Sequence, residues 1–366
     1  MKLSTLQLEN FRNYRDFSFN FTLDPKITIF HGQNGLGKTN LLEAIYMLSL
    51  GKSFRSSHNE DLTKWDLDYF RIKAQALTGE EKSELEVFYS SYPNKKKNFK
   101  KNGVNLKNSE YIGNFLTVLF HPEDLNILYL SPSLRRRYLN ILLSQVDREY
   151  LHALIKYTRT LKQRNALLHQ IKKAKFANQP TASLLQDLDA WDTELVEFGS
   201  TLIEKRLSLV ESINEQLTKI YQRISGEKDE ITADYETKAL TKEDFYMRLK
   251  NRRDIDLIQS TTTIGPHRDD LIFFINEKPL TTSASRGEIR TVLLALKLLE
   301  IEFIKQKTGL NPILLLDDVF SELDHERQDH LLDTIKDCQS IITTTEIDNL
   351  HDLKGKSNTI NLAEQE

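Results

Sequence analysis

Residues 32–39 read Gly-Gln-Asn-Gly-Leu-Gly-Lys-Thr and fit the pattern G-x-x-x-x-G-K-[ST]. Glycine lets a backbone wrap around phosphate groups so that successive N–H groups point inward, and the start of a helix adds a favourable dipole. The motif therefore predicts a nucleotide-phosphate site in which Lys38 reaches the β- and γ-phosphates and Thr39 ligates Mg²⁺. A glycine-rich turn that binds nothing is the alternative. The other expected contacts of this loop are Gly32, Gln33, Asn34, Gly35, Leu36 and Gly37.

A second candidate is acidic and follows an apolar run. Residues 313–316 are Ile-Leu-Leu-Leu, and Asp317 and Asp318 come next. A buried parallel strand delivers a carboxylate at its carboxyl end, where ligands bind in open α/β sheets. We expect Asp317 to hold Mg²⁺ through water and Asp318 to orient, or take a proton from, an attacking water. With Lys38 they form the predicted catalytic set, although acidic residues that cap a following helix would give the same pattern.

A third candidate is the stretch Thr-Ser-Ala-Ser-Arg-Gly-Glu at 282–288, which stands directly before a helical pattern at 289–304. Small residues and glycine at a helix start favour an anion site. The pattern alone explains Ser285 equally well as the N-cap of that helix.

The net charge of −3 excludes a general polycation, so contact with nucleic acid requires a local basic patch. The best candidate is a lysine-rich segment around Phe99 that we expect on a hairpin, although a solvated charged turn would look the same. The arginines at 135–137 and 252–253 are weaker candidates. The lysine-rich segment contains Lys95, Lys96, Lys97, Lys100 and Lys101.

Composition limits the remaining possibilities. With 366 residues, 39% of them hydrophobic, the chain is long enough for two or three globular units. A single cysteine, Cys338, excludes an intrachain disulfide and a cysteine-based zinc site, and favours a reducing compartment. No uncharged apolar run approaches the roughly 20 residues of a membrane span, so we expect a soluble cytoplasmic protein.

The periodicity of the chain predicts mixed α/β structure. Three strands are expected in the first forty residues, the last of them running into the phosphate loop, and a helix over 39–50. Strands are also expected over 69–106, 115–120 and 271–275.

Toward the end of the chain we expect a helix over 289–304, a strand over 313–316, a helix over 324–335 and a last strand over 340–344.

The middle of the chain differs from the rest in composition and periodicity. Roughly 133–225 is nearly free of glycine, and its apolar residues recur at the spacing of packed helices, with a turn near Gln179 and Pro180. We expect Trp65 and Trp191 in a core or helix seam, and His267 as a hydrogen-bonded turn residue. The predicted domains are an α/β head from 1–130 plus 255–366, and a short antiparallel helical arm at 131–254. The expected seam contains Leu184, Leu188, Trp191, Leu195, Phe198 and Leu202 on one helix, and Leu151, Leu154, Leu161 and Leu168 on its partner.

Taken together, the phosphate loop, the S-x-G-E stretch before a helix and the LLLDD string resemble the ABC-type ATPase heads of SMC and Rad50 proteins. More narrowly, the chain resembles the RecF family of bacterial recombination mediators over nearly its whole length. The supporting strings are LENFRNY at 8–14, NLLEAI at 40–45, FHPEDL at 120–125, RRRYL at 135–139, GPHRDDL at 265–271 and LALKL at 294–298.

The resemblance implies an ABC-type P-loop ATPase head with a helical insertion, which binds ATP and Mg²⁺ and forms a homodimer in the presence of ATP. It implies that Ser285, Arg286 and Gly287 of one subunit contact the γ-phosphate held by the other, that Asp324 lies at the dimer seam, and that Arg12 lies near the nucleotide. It also implies single-stranded, gapped or junction DNA as ligand, RecO- and RecR-type mediators as partners, roles in recombinase loading, replication restart and SOS induction, and a place at the nucleoid.

Two departures from the family pattern affect these expectations. Glu288 stands where glutamine is usual, which adds a negative charge near the phosphates or the dimer interface. Thr343, Thr344 and Thr345 follow what we expect to be the last strand, where transporter-type ATPases place a switch histidine. We therefore expect slow hydrolysis and a long-lived ATP state. The resemblance also implies that DNA stimulates the hydrolysis. The alternatives are another ABC-type ATPase, such as one associated with a transporter, and a tether of the Rad50 or SMC type.

Overall fold

The computed structural model describes residues 1–345, 353 and 355–364. It divides the chain into two compact units. The first contains residues 1–125, 220–227 and 286–366, and the second contains 126–219 and 228–285. The second unit ends later than the predicted arm, because the strand at Asp270–Ile275 pairs with the strand at Ile231–Glu236. The head-and-arm boundaries stay a prediction.

The first unit contains two sheets. A parallel sheet has the strand order β14-β3-β13-β12-β8, and an antiparallel sheet has the order β2-β1-β4-β5-β6-β7. The parallel strands are β3 (Ile27–His31), β8 (Thr117–Phe120), β12 (Ile313–Asp317), β13 (Ser340–Thr344) and β14 (Ser357–Asn361). The antiparallel strands are β1 (Lys2–Phe11), β2 (Tyr14–Asn20), β4 (Tyr69–Thr78), β5 (Glu81–Ser90), β6 (Lys96–Lys101) and β7 (Val104–Leu106).

Helix α1 (Lys38–Leu50) packs against strands of both sheets and is buried along most of its length. It ends at Gly51, whose backbone is left-handed and whose N–H closes the last turn on Met47 O. The other helices of this unit are the short α2 (Asn108–Tyr111), α10 (Arg286–Thr308) and α11 (His325–Ile335).

The register of the parallel strands sets the position of the site. Phe30 of β3 pairs with Thr343 of β13, Thr343 pairs with Asp317 of β12, and Leu316 pairs with Phe120 of β8. The carboxyl ends of four strands therefore lie in line at one edge of the sheet. This edge carries the phosphate loop and Asp317.

The second unit is mainly helical, as the middle of the chain predicts. Leu167, Leu168 and Ile171 of α5 pack with Leu188 of α6 in one apolar cluster, with Leu184 and Trp191 against it. The helices of this unit are α3 (Asn126–Tyr129), α4 (Pro132–Val146), α5 (Arg148–Phe176), α6 (Ala182–Ser225, whose last residues belong to the first unit), α7 (Lys242–Asn251), α8 (Arg253–Gln259) and α9 (Leu280–Ser283). A small sheet has the order β11-β10-β9, with β9 (Ile231–Glu236), β10 (Asp270–Ile275) and β11 (Lys278–Pro279).

Buried charges hold the second unit together, and they explain two of the distinctive strings. Arg135 makes two hydrogen bonds of 2.7 Å to the carboxylate of Asp270. Arg136 donates to Asp269 O at 2.7 Å. Arg206, which is fully buried, donates to Pro266 O at 2.7 Å. The RRRYL and GPHRDDL strings are therefore used largely inside this unit.

The structure confirms the α/β class, the parallel sheet and the long helices, and corrects two predictions. Trp65 is 92% exposed, because it lies in a surface turn that the Leu67 N–H closes on Lys64 O. Strand β13 is not the last strand, since β14 follows it and pairs with β3 on the other side. Thr343 and Thr344 therefore lie inside a strand, and only Thr345 follows β13.

His267 is held as a neutral imidazole in the second unit. Its Nε2 lies 3.0 Å from Thr262 O, which can only accept, so Nδ1 accepts from the hydroxyl of Tyr157 at 2.6 Å. Burial lowers the pKa of His267 to about 4, and the nearby arginines act in the same direction.

We expect this histidine to make the protein less stable in acid. The unfolded chain takes up the proton near pH 6.5 while the folded chain does not, so stability falls as the pH drops from about 6.5 toward 4. Between pH 7.5 and 4.5 the wild type should lose about 2–3 kcal/mol more unfolding free energy than His267→Gln. Urea unfolding across this range measures the difference, with His169→Gln on the exposed face of α5 as control. Equal pH dependence in wild type and His267→Gln would contradict the assignment.

Candidate functional site

The loop at 32–37 has the backbone that a phosphate cradle requires. Its glycines Gly32, Gly35 and Gly37 have φ values of 144°, 91° and 93°, which disfavour any side chain. A Cβ on Gly32 would lie 2.7 Å from Leu36 Cδ1, and one on Gly37 would lie 2.5 Å from Asn13 Nδ2. Gly37 is the N-cap of α1, so the first N–H groups of the helix face the loop.

The turn between β1 and β2 supports this loop from outside. Asn13 donates to Leu36 O at 3.3 Å, and the hydroxyl of Tyr14 donates to Gly37 O at 3.1 Å. Asn40 of α1 donates to Asn13 Oδ1 at 2.7 Å and fixes its amide. Burial raises the pKa of Tyr14, so its hydroxyl stays a donor. This support comes from the LENFRNY string, whose role the sequence alone does not show.

Lys38 folds back over the loop. Its ammonium donates to Gly32 O at 2.6 Å and to Gln33 O at 2.9 Å. Burial lowers the pKa of Lys38, while the charges of Asp318 and Asp317 oppose that shift. The arrangement places a cation at the mouth of the loop, within the field of both carboxylates.

Asp317 is the polar centre of the site. It is only 5% exposed, and its Oδ1 accepts from the hydroxyls of Thr39 at 2.9 Å and Thr343 at 2.7 Å. Nε2 of His121 lies 3.5 Å from Oδ2. The contact with Thr39 brings the two motifs together. No prediction placed the hydroxyl of Thr343 or the ring of His121 beside Asp317.

Asp318 lies at the same edge in a left-handed conformation, with φ 51°. Its N–H donates to Thr343 O at 3.0 Å, and its own carbonyl accepts from Ser321 at 2.6 Å. This backbone turns the chain sharply after β12 and sets the direction of the Asp318 side chain apart from that of Asp317.

Arg12 is held against α1 by an ion pair with Glu43. It makes two hydrogen bonds of 2.8 Å to the fully buried carboxylate of Glu43 on α1, and a third of 2.7 Å to Asp61 O. Ser53 also donates to Glu43. A role for Arg12 beside the nucleotide stays a prediction.

The stretch at 282–288 lies where the predicted helix begins. Ser285 and Arg286 are exposed, and α10 starts at Arg286. Arg327 of α11 donates to Gly287 O at 3.4 Å and to the hydroxyl of Thr291 at 2.8 Å. Asp324, the N-cap of α11, accepts from the Arg327 N–H at 3.0 Å and pairs with its guanidinium. Arg327 thus connects Asp324 with Gly287, a link absent from the sequence prediction.

The lysine-rich segment forms β6 and the turn before it, and most of its charges have partners in the chain. Lys95 pairs with Glu60, Lys97 donates to Asn59, Lys100 lies 3.0 Å from Glu86 and Lys101 donates to Asn114 at 3.1 Å. Burial lowers the pKa of Lys97 to about 8. Lys96 is exposed. DNA contact by this segment stays a prediction, with fewer available charges than the sequence suggested.

The metal-ligand oxygens at the edge of the sheet suit Mg²⁺, which keeps water and phosphate ligands. They suit less well a metal ion whose ligands all come from the protein. Among the described residues, no group of three or more His, Cys, Asp or Glu side chains could hold a metal ion. Thr39 and Asp317 bring a hydroxyl and a carboxylate oxygen within 2.9 Å of each other beside the phosphate loop. Mg²⁺ is usually held in this way, by one or two protein oxygens together with phosphates and water. In the same part of the chain, no helix is long and apolar enough to cross a membrane.

Comparison with known proteins agrees with this geometry. Residues 2–364 match the family model described as RecF/RecN/SMC N terminal domain. A protein of Lachnospira eligens called DNA replication and repair protein RecF is 40% identical over 94% of this chain and 93% of its own length. The chain belongs to the RecF family. A RecF of Bacillus cytotoxicus is 38% identical over 99% of this chain and 97% of its own.

Solved structures of RecF have the same fold as this family member. A recombination mediator protein RecF-ATP, described as part of the RecFOR pathway, superposes with a TM-score of 0.87 at 35% identity, over 94% of this chain and 92% of its own. An Smc head domain from Pyrococcus furiosus reaches 0.52 at 16% identity, over 99% of this chain and 94% of its own, a likeness of fold. The ABC-type head and the RecF resemblance drawn from the motifs are both confirmed.

We expect alanine to reduce the unfolding free energy by different amounts at Gly35 and Gly37 of the loop. Alanine at Gly37 or Gly35 incurs backbone strain of about 1–3 kcal/mol, because both φ values are positive. Gly37→Ala must also displace Asn13, whereas a Cβ on Gly35 meets no atom within 4 Å. Gly37→Ala should therefore lose about 1 kcal/mol more unfolding free energy than Gly35→Ala. Urea unfolding of the two variants gives the comparison, and equal losses would mean that Asn13 yields without cost.

Proposed function

We propose that this RecF-family chain is an ATP-dependent DNA-binding protein of recombinational repair and replication restart, in which ATP acts as a switch. The observation that carries the proposal is the convergence of Lys38, Thr39 and Asp317 at the edge of the parallel sheet. The relatives support it, since they are called DNA replication and repair proteins and RecF with ATP has a closely similar fold.

In the proposed site, the loop at 32–37 and the first N–H groups of α1 bind the phosphate chain of ATP. Lys38 exchanges its bonds to the loop carbonyls for bonds to the β- and γ-phosphate oxygens, a favourable exchange because phosphate carries full charge. Thr39 and Asp317 hold Mg²⁺, which neutralises charge on the β- and γ-phosphate oxygens. The hydroxyl of Thr343 donates the second hydrogen bond to Asp317 Oδ1 and so helps to orient this carboxylate.

Asp318 is the proposed base that orients the attacking water. Its left-handed backbone aims its side chain separately from Asp317, so the two carboxylates serve different atoms. Thr345 stands where transporter-type ATPases place a histidine, and we propose slow hydrolysis for this reason. We propose from the family resemblance that DNA stimulates this hydrolysis. Slow turnover suits a switch, since the ATP state then lasts long enough to act.

ATP is proposed to join two copies of the chain. The exposed Ser285 and Arg286 at the start of α10, with Gly287, contact the γ-phosphate held by the second copy. Asp324 lies at the seam, and Arg12 approaches the nucleotide when it leaves Glu43. A ligand that contacts both chains stabilises the dimer by its binding free energy, and hydrolysis removes that stabilisation.

The dimer is proposed to bind single-stranded, gapped or junction DNA, to act with RecO- and RecR-type mediators in recombinase loading and SOS induction, and to work at the nucleoid of the cytoplasm. A tether of the Rad50 type is disfavoured, because α5 and α6 have only 29 and 44 residues.

The nucleotide switch is tested with Lys38→Met. The variant should lose tight ATP binding and stay monomeric with ATP, because the methionine cannot neutralise the phosphates. Light scattering with ATP, with ADP and without nucleotide measures the change. Asp318→Asn is the matched variant, which should bind ATP, dimerise and keep the dimer longer than wild type. A Lys38→Met protein that dimerises normally with ATP would overturn the switch.

DNA binding is tested through its salt dependence. Lys96→Gln should weaken binding of gapped DNA and reduce the slope of log K against log salt by about one unit if this lysine contacts a phosphate. Lys100→Gln, whose ammonium is held by Glu86, should leave the slope unchanged. Electrophoretic shifts with single-stranded, duplex and gapped DNA, with and without ATP, provide the constants. An unchanged slope for Lys96→Gln would remove the lysine-rich segment from the interface.

A further inference from the structure

A histidine faces Asp317 from a strand that none of the nucleotide motifs includes. β8 ends at Phe120, which pairs with Leu316, so the next residues of the two strands, His121 and Asp317, lie at the same edge. The His121 side chain is 13% exposed, and its Nε2 is 3.5 Å from Asp317 Oδ2. The ring of Phe54 packs edge-on against the imidazole, with centroids 5.0 Å apart.

The hydrogen bonds of His121 fix the position of its proton. Nδ1 accepts from the N–H of Glu123 at 3.2 Å. A ring nitrogen that accepts carries no proton, so the proton of the neutral imidazole lies on Nε2. Nε2 lies 3.5 Å from Asp317 Oδ2, while Thr39 and Thr343 donate to Oδ1.

A buried ionic cluster holds the turn that carries His121. Asp124 Oδ2 accepts a hydrogen bond of 3.0 Å from the backbone N–H of His121. The same oxygen lies 3.2 Å from Nζ of Lys297 on α10. Nζ also lies 3.4 Å from Glu300 Oε2, one helical turn farther along. The side chains of Lys297 and Glu300 are 6% and 4% exposed.

The cluster is costly to bury, which suggests a role other than stability. Burial opposes the charge of Lys297, but Asp124 and Glu300 outweigh that effect and raise its pKa. Burial raises the pKa of Glu300, which leaves Asp124, the nearer carboxylate, as the main partner of Lys297. An apolar side chain would fill the same place on α10 at equal or lower cost.

We propose that His121 and Lys297 are positioning residues of the nucleotide site. Lys297 fixes the turn through Asp124, and His121 holds Oδ2 of Asp317 so that the carboxylate faces the metal bound with ATP. The inference rests on the proposed function. Lys297 lies on α10, which begins at Arg286 within the S-x-G-E stretch. The contact of Lys297 with Asp124 therefore also connects this helix with the turn beside Asp317. An imidazole thus lies beside Asp317 at the end of β8.

The first test separates metal binding from nucleotide binding. A fluorescent ATP analogue is titrated without Mg²⁺ and at increasing Mg²⁺. His121→Ala should require about tenfold more Mg²⁺ for half-maximal binding, as expected for loss of a group that orients a metal ligand. Its affinity without Mg²⁺ should change less than twofold. His121→Gln retains an N–H donor and should recover most of the loss, and His58→Ala, on an exposed loop, should match wild type.

The second test asks whether Lys297 acts through His121. Lys297→Met should raise the Mg²⁺ requirement like His121→Ala, and the double variant should be no worse than either alone. The double variant Asp124→Asn with Lys297→Met removes the charges of both partners of this ion pair. It controls for unfolding that Lys297→Met could cause by leaving the carboxylate of Asp124 without its cation. In nucleotide-free protein, ¹⁵N spectra of labelled histidine should report the proton of His121 on Nε2, with mixed tautomers in Lys297→Met.

The outcomes distinguish the inference from the proposed function. Wild-type protein that binds no ATP would contradict both. Wild-type protein that binds ATP with Mg²⁺, while His121→Ala has an unchanged Mg²⁺ requirement, would overturn the inference alone. Additive effects of His121→Ala and Lys297→Met would retain both residues but reject the connection between them.

Discussion

The site depends on the alignment of four parallel strands whose carboxyl ends stop at the same edge. Phe30, Thr343 and Asp317 stand in one row across β3, β13 and β12, and Phe120 of β8 pairs one residue earlier with Leu316. A shift of β12 by one residue against its neighbours would turn Asp317 to the opposite face of the sheet. The loop at 32–37, the carboxylate of Asp317 and the imidazole of His121 therefore lie near each other because of backbone register.

Burial of Asp317 creates the need for the donors around it. A carboxylate that is 5% exposed must be hydrogen-bonded, and the hydroxyls of Thr39 and Thr343 meet this need. Nε2 of His121 lies 3.5 Å from its other oxygen. The same principle acts at Glu43, which is buried under Arg12, and at Asp124, which is paired with Lys297.

The strings that are most distinctive for the family divide into two kinds. Those in the first unit surround the site: the LENFRNY turn supports the phosphate loop, and the FHPEDL turn reaches Asp317. RRRYL and GPHRDDL instead form ion pairs and buried hydrogen bonds within the second unit, such as Arg135 with Asp270. A distinctive sequence thus marks a structural demand as often as a ligand contact.

The sequence by itself determined the elements and the chemistry of the two nucleotide motifs. Alternation and apolar runs located β1 to β8, β10, β12 and β13, because these patterns follow from which face of an element is buried. It placed Gly32 to Thr39 in a phosphate loop, since only glycine adopts the required positive φ values without strain. It also indicated Asp317 as the carboxylate at a strand end.

Only the tertiary structure decided which distant residues meet. The order of strands in a sheet is not encoded in local periodicity, so nothing in the sequence placed FHPEDL beside LLLDD, or Arg327 against Gly287. Strand β14 escaped prediction because its residues are only partly buried and show little alternation. Trp65 was misplaced because hydrophobicity predicts burial on average, while the backbone of one short turn decided which side chain points inward.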